Sequence, residues 1–163
     1  MKVIVDADAC PVKEIIVDKC KKYNIKLIFI HSLDHISHQY PLVEKIIVDK
    51  GFQSADMAIV NHTEKDDLVI TADIGLAALI IGKGAYVLNP WGNFYTPENI
   101  DQHLHQRYLN QKILASKGRL KGPSKRKKED NEKFAHMLVS FIEKYLLNKN
   151  VSILEGDFKI TKN

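Results

Sequence analysis

What most constrains this chain is the way its first ninety residues alternate between two hydrophobic periods. Lys2 to Val5 is a β-branched run of the kind that forms a buried strand. Pro11 suits the first turn of a helix, and Val12, Ile15, Ile16, Cys20 and Tyr23 then recur at helical spacing. Ile25 to Ile30 reads as a second strand, His31 to Pro41 as a polar loop, and Val43 to Val48 as a third strand. Ser54 caps a short helix through His62. Leu68 to Thr71 follows as a strand, Ile74 to Ile81 as a helix ended by Gly82, and Ala85 to Leu88 as a fifth strand. Apolar strands that alternate with helices call for an α/β fold: a mostly parallel, Rossmann-like sheet flanked by helices on both faces. Right-handed crossovers then bring the C-terminal ends of the strands to one edge, where open α/β sheets bind ligands.

The texture changes after Leu88. Asn89-Pro90-Trp91-Gly92 is turn chemistry, and Thr96-Pro97-Glu98 is a helix start, with that helix running to about Ser116 and stopping at Gly118. Gly118 to Lys128 is a Gly/Pro/Lys/Arg loop. Asp130 is placed to cap a last helix, whose Phe134, Leu138, Phe141, Ile142 and Tyr145 form one apolar packing stripe. The expected organisation is one domain over residues 1–147, including a basic loop at 117–128 and a helical C-terminal extension. A tail at 148–163 follows, with a strand at Val151 to Leu154.

Four carboxylates carry the chemistry. Asp6 and Asp8 follow the first strand, Asp73 follows the fourth, and Asp56 opens the helix after Lys50-Gly51. In a parallel sheet all four converge on one edge. Clustered carboxylates raise one another's pKa unless a cation intervenes, and all-oxygen ligand sets suit Mg²⁺ or Mn²⁺. Such ions activate water in phosphodiester hydrolysis. Each acid also has a plainer role: Asp8 and Asp56 favour helix N-termini, and Asp73 can cap the helix at Ile74. Cys10 reads as a buried small hydrophobe and His31, His35 and His38 as loop bystanders. Asn89 and Ser32 stand at strand ends near the same edge. Trp91 and Tyr95 either stack on bases or pack beneath a helix.

Charge distribution supplies the partner. Of 24 basic and 20 acidic side chains, nine basic ones and no acid fall between Arg107 and Lys128, so the remainder is net acidic. Arg107, Lys117, Arg119, Lys121, Lys125, Arg126, Lys127 and Lys128 are therefore candidate contacts to a nucleic acid, with a solvated loop as the alternative. The two cysteines, Cys10 and Cys20, make no CxxC pair, which fits a reducing compartment. Val3-Ile4-Val5 is too short for a signal-peptide core, and Ile74 to Ile81 is too short to cross a membrane. A cytoplasmic location is expected.

Several of these segments together resemble the YaiI/YqxD family. They are Val-Asp-Ala-Asp-Ala-Cys-Pro at 5 to 11, Gln-Ser-Ala-Asp at 53 to 56, Val-Ile-Thr-Ala-Asp-Ile-Gly-Leu-Ala at 69 to 77, and Asn89-Pro90 with Gly92 and Tyr95-Thr96. Arg107, Gly122-Pro123 and the Asp130 to Phe134 helix start belong to the same pattern. The resemblance spans residues 1 to 147 and implies kinship with PIN and NYN nuclease domains, whose strand-end acids hold divalent metal and cut RNA. By that implication Asp6, Asp8, Asp56 and Asp73 are catalytic and metal-binding. The chain departs from the pattern at Trp91, where relatives carry a basic residue, and at Asn131, where they carry Arg.

The reading that follows is a Mg²⁺- or Mn²⁺-dependent, ribonuclease-like phosphodiesterase acting on RNA. Two alternatives stay open. Asp6-Ala-Asp8 also resembles the paired aspartates of haloacid-dehalogenase-type phosphatases, with Asp6 as nucleophile, Asp8 as general acid and Ser32 on phosphate. Cys10 departs from the residues usual at that place. The third is an RNA-binding protein without catalysis.

Overall fold

A computed structural model of the chain describes residues 1–32, 40–49, 54–116, 118–119, 122 and 125–160. Five strands and three helices alternate as expected: β1 (Lys2–Asp6), α1 (Lys13–Lys22), β2 (Lys26–Ser32), β3 (Glu44–Val48), α2 (Ser54–His62), β4 (Leu68–Ile70), α3 (Ile74–Gly82) and β5 (Tyr86–Leu88). They are followed by β6 (Phe94–Tyr95), α4 (Ile100–Ala115) and α5 (Lys128–Ile160). One sheet has the order β3-β2-β1-β4-β5-β6. β1 to β5 pair in parallel, and only β6 runs antiparallel, beside β5.

The strands are apolar on both faces because both faces are covered. Val3, Val5, Phe29, Leu68 and Ile70 face one core with Ile16, Phe134, Leu138 and Ile142, from α1 and α5. Ile4, Ile28, Ile30, Val69 and Val87 face the other with Ile59, Leu76, Ile80 and Ile100, from α2, α3 and α4. The chain leaves β1 towards β2 and β3, then returns to place β4 on β1's other side. The β1/β4 boundary is therefore the point where the strand order reverses, and crevices for ligands open there.

Three expectations are corrected. The Asn89–Gly92 turn leads into β6, which two-residue length hid from any periodicity argument. Residues 151–154 continue α5 and form no strand, since the helix runs unbroken to Ile160. Asp130 lies inside α5's first turn, and its carboxylate accepts from the Lys127 N–H at 2.8 Å. An acid there reaches back to the capping residue's amide, as the N3 partner of a capping box does.

Candidate active site at the C-terminal edge of the sheet

Asp6 ends β1, and the β1/β4 register places Val5 beside Ile70, so Thr71 emerges next to Asp6. The buried Thr71 hydroxyl donates to Asp6 Oδ2 at 3.0 Å and accepts from the Asp73 N–H at 3.1 Å. Asp73 caps α3, its Oδ1 accepting from the Leu76 N–H at 3.0 Å. The capping role foreseen for Asp73 is thus observed. Burial, and then the nearby Asp56, Asp8 and Asp73, raise the Asp6 carboxyl above its ordinary value, against the Thr71 hydrogen bond. Burial and then Asp73 raise Asp56 likewise, while Arg107 opposes the shift. These mutual influences bring Asp6, Asp8, Asp56 and Asp73 into one electrostatic neighbourhood at one edge of the sheet.

Asp8 is held differently. The Ser32 N–H donates to both of its oxygens, at 3.1 and 3.0 Å, and His31 Nδ1 lies 3.6 Å from Oδ1. His31 belongs to β2 and is only 1% exposed, so it is no exposed loop bystander. Among the described residues, both its buried ring nitrogens have no hydrogen-bond partner. Burial, followed by Lys13, lowers its pKa against the pull of Asp8, which favours the neutral ring. His35 and His38 fall outside the described residues. Cys10 is buried and its thiol is pushed up to about 11 by that burial, the signature of an inert side chain.

Arg107, on α4, reaches the acids from the side. Its Nη1 donates to Asp73 Oδ1 at 3.4 Å, both side chains being partly exposed. Gly75 makes this approach possible: a Cβ there would lie 3.1 Å from Arg107 Nη1 and 3.2 Å from Asp73 Oδ1.

The basic block divides. Arg119, Lys125, Lys127 and Lys128 are exposed, with Lys128 3.7 Å from Glu132. Lys117 and Lys121 lie outside the described residues. Arg126 is turned inward: Nε donates to Asn131 Oδ1 at 2.6 Å, Nη2 donates to the Pro90 carbonyl at 2.7 Å, and buried Nη1 has no partner among the described residues. It ties the head of α5 to the β5–β6 turn. Buried Asn89 organises that turn by accepting from the Trp91 and Asn93 N–H groups. Trp91 stays 41% exposed, whereas Tyr95 is buried against the His103 ring and offers no stacking face.

Thr71 and Gly75 were not singled out from the sequence. The Thr-Ala-Asp-Ile-Gly run was the available signal, but their roles depend on β1/β4 register and on α4 packing. Another buried acid marks the contrast with the candidate site. Asp67, 3% exposed just ahead of β4, takes the Lys2 ammonium at 2.7 Å and the Lys2 N–H at 2.8 Å. It is paired at the strands' opposite ends.

Among the described residues no three His, Cys, Asp or Glu side chains are gathered into a ready-formed metal centre. The candidate donor set nevertheless fits a hard divalent cation in kind. It is all carboxylate oxygen, and burial together with the neighbouring acids raises the Asp6 and Asp56 carboxyls.

The fold and this edge define an α/β protein with several aspartates near the point where its strand order reverses. A family model described as "Uncharacterized BCR, YaiI/YqxD family" matches residues 4–144. The chain belongs to that family. It is 52% identical to a UPF0178 protein of Alkaliphilus metalliredigens, over 92% of this chain and 97% of the relative. It is 46% identical to one of Oceanobacillus iheyensis over 88% of this chain and the relative's full length. A Clostridium perfringens UPF0178 protein is 42% identical, over 88% of this chain and 96% of its own. No solved structure matches. Among the described residues no helix is long and apolar enough to cross a membrane.

Proposed function

We propose that the protein is a Mg²⁺- or Mn²⁺-dependent phosphodiesterase of PIN-like type that cleaves RNA in the cytoplasm. The observation that carries this reading is the convergence of Asp6, Asp56 and Asp73 from three separate elements, with Asp6 held above its ordinary pKa by burial and by the other acids. An acid serving only as a helix cap needs no such company.

Asp6, Asp56 and Asp73 would hold the ion, with Asp8 alongside. A bound divalent cation supplies charge for a phosphoryl oxygen and acidifies water. Thr71 orients Asp6 through its hydroxyl and fixes the Asp73 backbone through the same oxygen. Arg107 stands at the mouth of the cluster, where a phosphate would enter. Lys125, Lys127, Lys128 and Arg119 would hold the nucleic-acid backbone without reading bases.

Incubating the protein with a single-stranded RNA and Mn²⁺ tests the reading. Cleavage should occur, be abolished by EDTA, and fall at least about a hundredfold in Asp6→Asn and Asp73→Asn, given what such groups are worth in rate. Retained binding with no cleavage under any metal condition would leave an RNA-binding protein. A trapped aspartyl-phosphate on Asp6 would instead mark a phosphatase.

A further inference from the structure

Arg107 occupies an unusual place for a phosphate contact, because the atom it touches is one of the carboxylate oxygens of the candidate metal site. It stands one turn beyond Leu104, whose side chain packs with the α3 core, so the helix aims it back at α3's first turn. It passes close over Gly75, where a Cβ would lie 3.1 Å from its Nη1. Among the described residues the guanidinium makes this single bond, at 3.4 Å, and it is 44% exposed. A long, singly tethered cation is thus parked on an acid that a divalent ion would need.

We propose that Arg107 is the resident counter-ion of the carboxylate cluster: it neutralises Asp73 and Asp56 while no metal is bound, and yields Asp73 to the cation when one binds, freeing its guanidinium for the substrate phosphate. This rests on the metal reading above. The two roles are compatible because a guanidinium forks equally well onto carboxylate or phosphate. They are also ordered. A cation entering beside Asp73 repels Arg107, and the phosphate that comes with the substrate is the nearest replacement partner. Arg107 would thereby hold the acids together without metal and discriminate against empty-handed binding of substrate.

The proposal predicts opposite effects of one substitution on two ligands. Calorimetric titration of the full chain with Mn²⁺ should show Arg107→Gln binding the ion about tenfold more tightly than wild type at low ionic strength, because a unit positive charge a few ångströms away is removed. The gain should shrink as salt is added. Arg107→Lys, which keeps the charge, should stay within about threefold of wild type on the same argument. With Mn²⁺ present, Arg107→Gln should bind a single-stranded oligonucleotide more weakly, with a salt slope flatter by about 0.7 unit.

Equal or weaker Mn²⁺ binding in Arg107→Gln, with wild-type binding lost in Asp6→Asn, overturns the counter-ion role and leaves the metal reading standing. If wild type shows no saturable Mn²⁺ binding, or Asp6→Asn binds as wild type does, the metal reading fails and takes the proposal with it.

Discussion

Asp6 is placed where a carboxylate is least comfortable: half-buried, and beside three others. Its raised pKa has a consequence for stability. Below the unfolded-state value both states are protonated and the repulsion is absent. As pH rises past that value the unfolded state releases its proton first, so stability falls until the folded carboxyl has titrated as well. The metal-free protein should therefore lose stability from about pH 4 upwards at this residue. Asp6→Asn, still able to accept from Thr71, should melt roughly 2–4 °C above wild type at pH 7.5 without metal. That advantage should vanish near pH 3.5 (about the foot of the unfolded-state titration), and adding Mn²⁺ should raise wild type alone. Differential scanning calorimetry across pH decides it; a lower melting temperature for Asp6→Asn at pH 7.5 would show that the cluster is not strained. The acids themselves were legible in the sequence because each directly follows a strand or opens a helix. Their coupling through Thr71 was not, since that bond joins residues 65 apart and exists only in one strand register.

Among the elements, the strands and helices up to Leu88 were legible because the two hydrophobic periods are clean and each run has room for them. β6 was not, having two residues, and neither was the passage of α5 beyond residue 150, where Val-Ser-Ile-Leu reads by propensity as strand. Composition also concealed a division within the basic block. Lys125, Arg126, Lys127 and Lys128 look alike as a charge run, yet Arg126 alone joins α5 to the β5–β6 turn through Pro90 and Asn131. Gly92, at φ 77°, lets that turn press on α5, since a Cβ there would meet the Phe134 backbone at 3.1 Å. Asn131 supplies the acceptor that holds Arg126 in place. Arg126→Ala should accordingly cost roughly 1–3 kcal/mol by leaving the Pro90 carbonyl and Asn131 amide unpaired. Lys125→Ala or Lys127→Ala should change stability by less than about 0.5 kcal/mol. Urea unfolding of the three variants distinguishes a clamp from a charged surface: equal stabilities would mean that the Arg126 bonds contribute nothing.

At the scale of the whole molecule, acids stand at the sheet edge while, among the described residues, Arg119, Lys125, Lys127 and Lys128 are exposed, a separation that the proposed cleavage of a polyanion would use. If RNA is the substrate, as proposed, the acids alone would repel it, and the surrounding cations would have to supply the attraction without entering the acids. With Arg126 turned inward, Lys125, Lys127 and Lys128 are the exposed residues of the 125–128 run. If these three touch phosphates, each releases about 0.7 of a counterion on binding a single strand. Replacing all three by alanine should then flatten the log–log salt dependence of affinity by roughly 2 units. Affinity should drop alike for every sequence, because phosphate contacts carry no base information. The melting temperature should hardly move, as exposed charges contribute little to folding. The same variant should keep the Mn²⁺ affinity of wild type, since a Debye length near 10 Å at 0.1 M salt screens distant lysines from the acids. Fluorescence anisotropy with a labelled oligonucleotide between 50 and 200 mM salt, roughly the range where such contacts dominate, measures the slope. An unchanged slope would make these lysines a solvated surface. Under the proposed function, Arg107, Lys112 and Arg119, on and just beyond α4, would then be the next cations to test among the described residues.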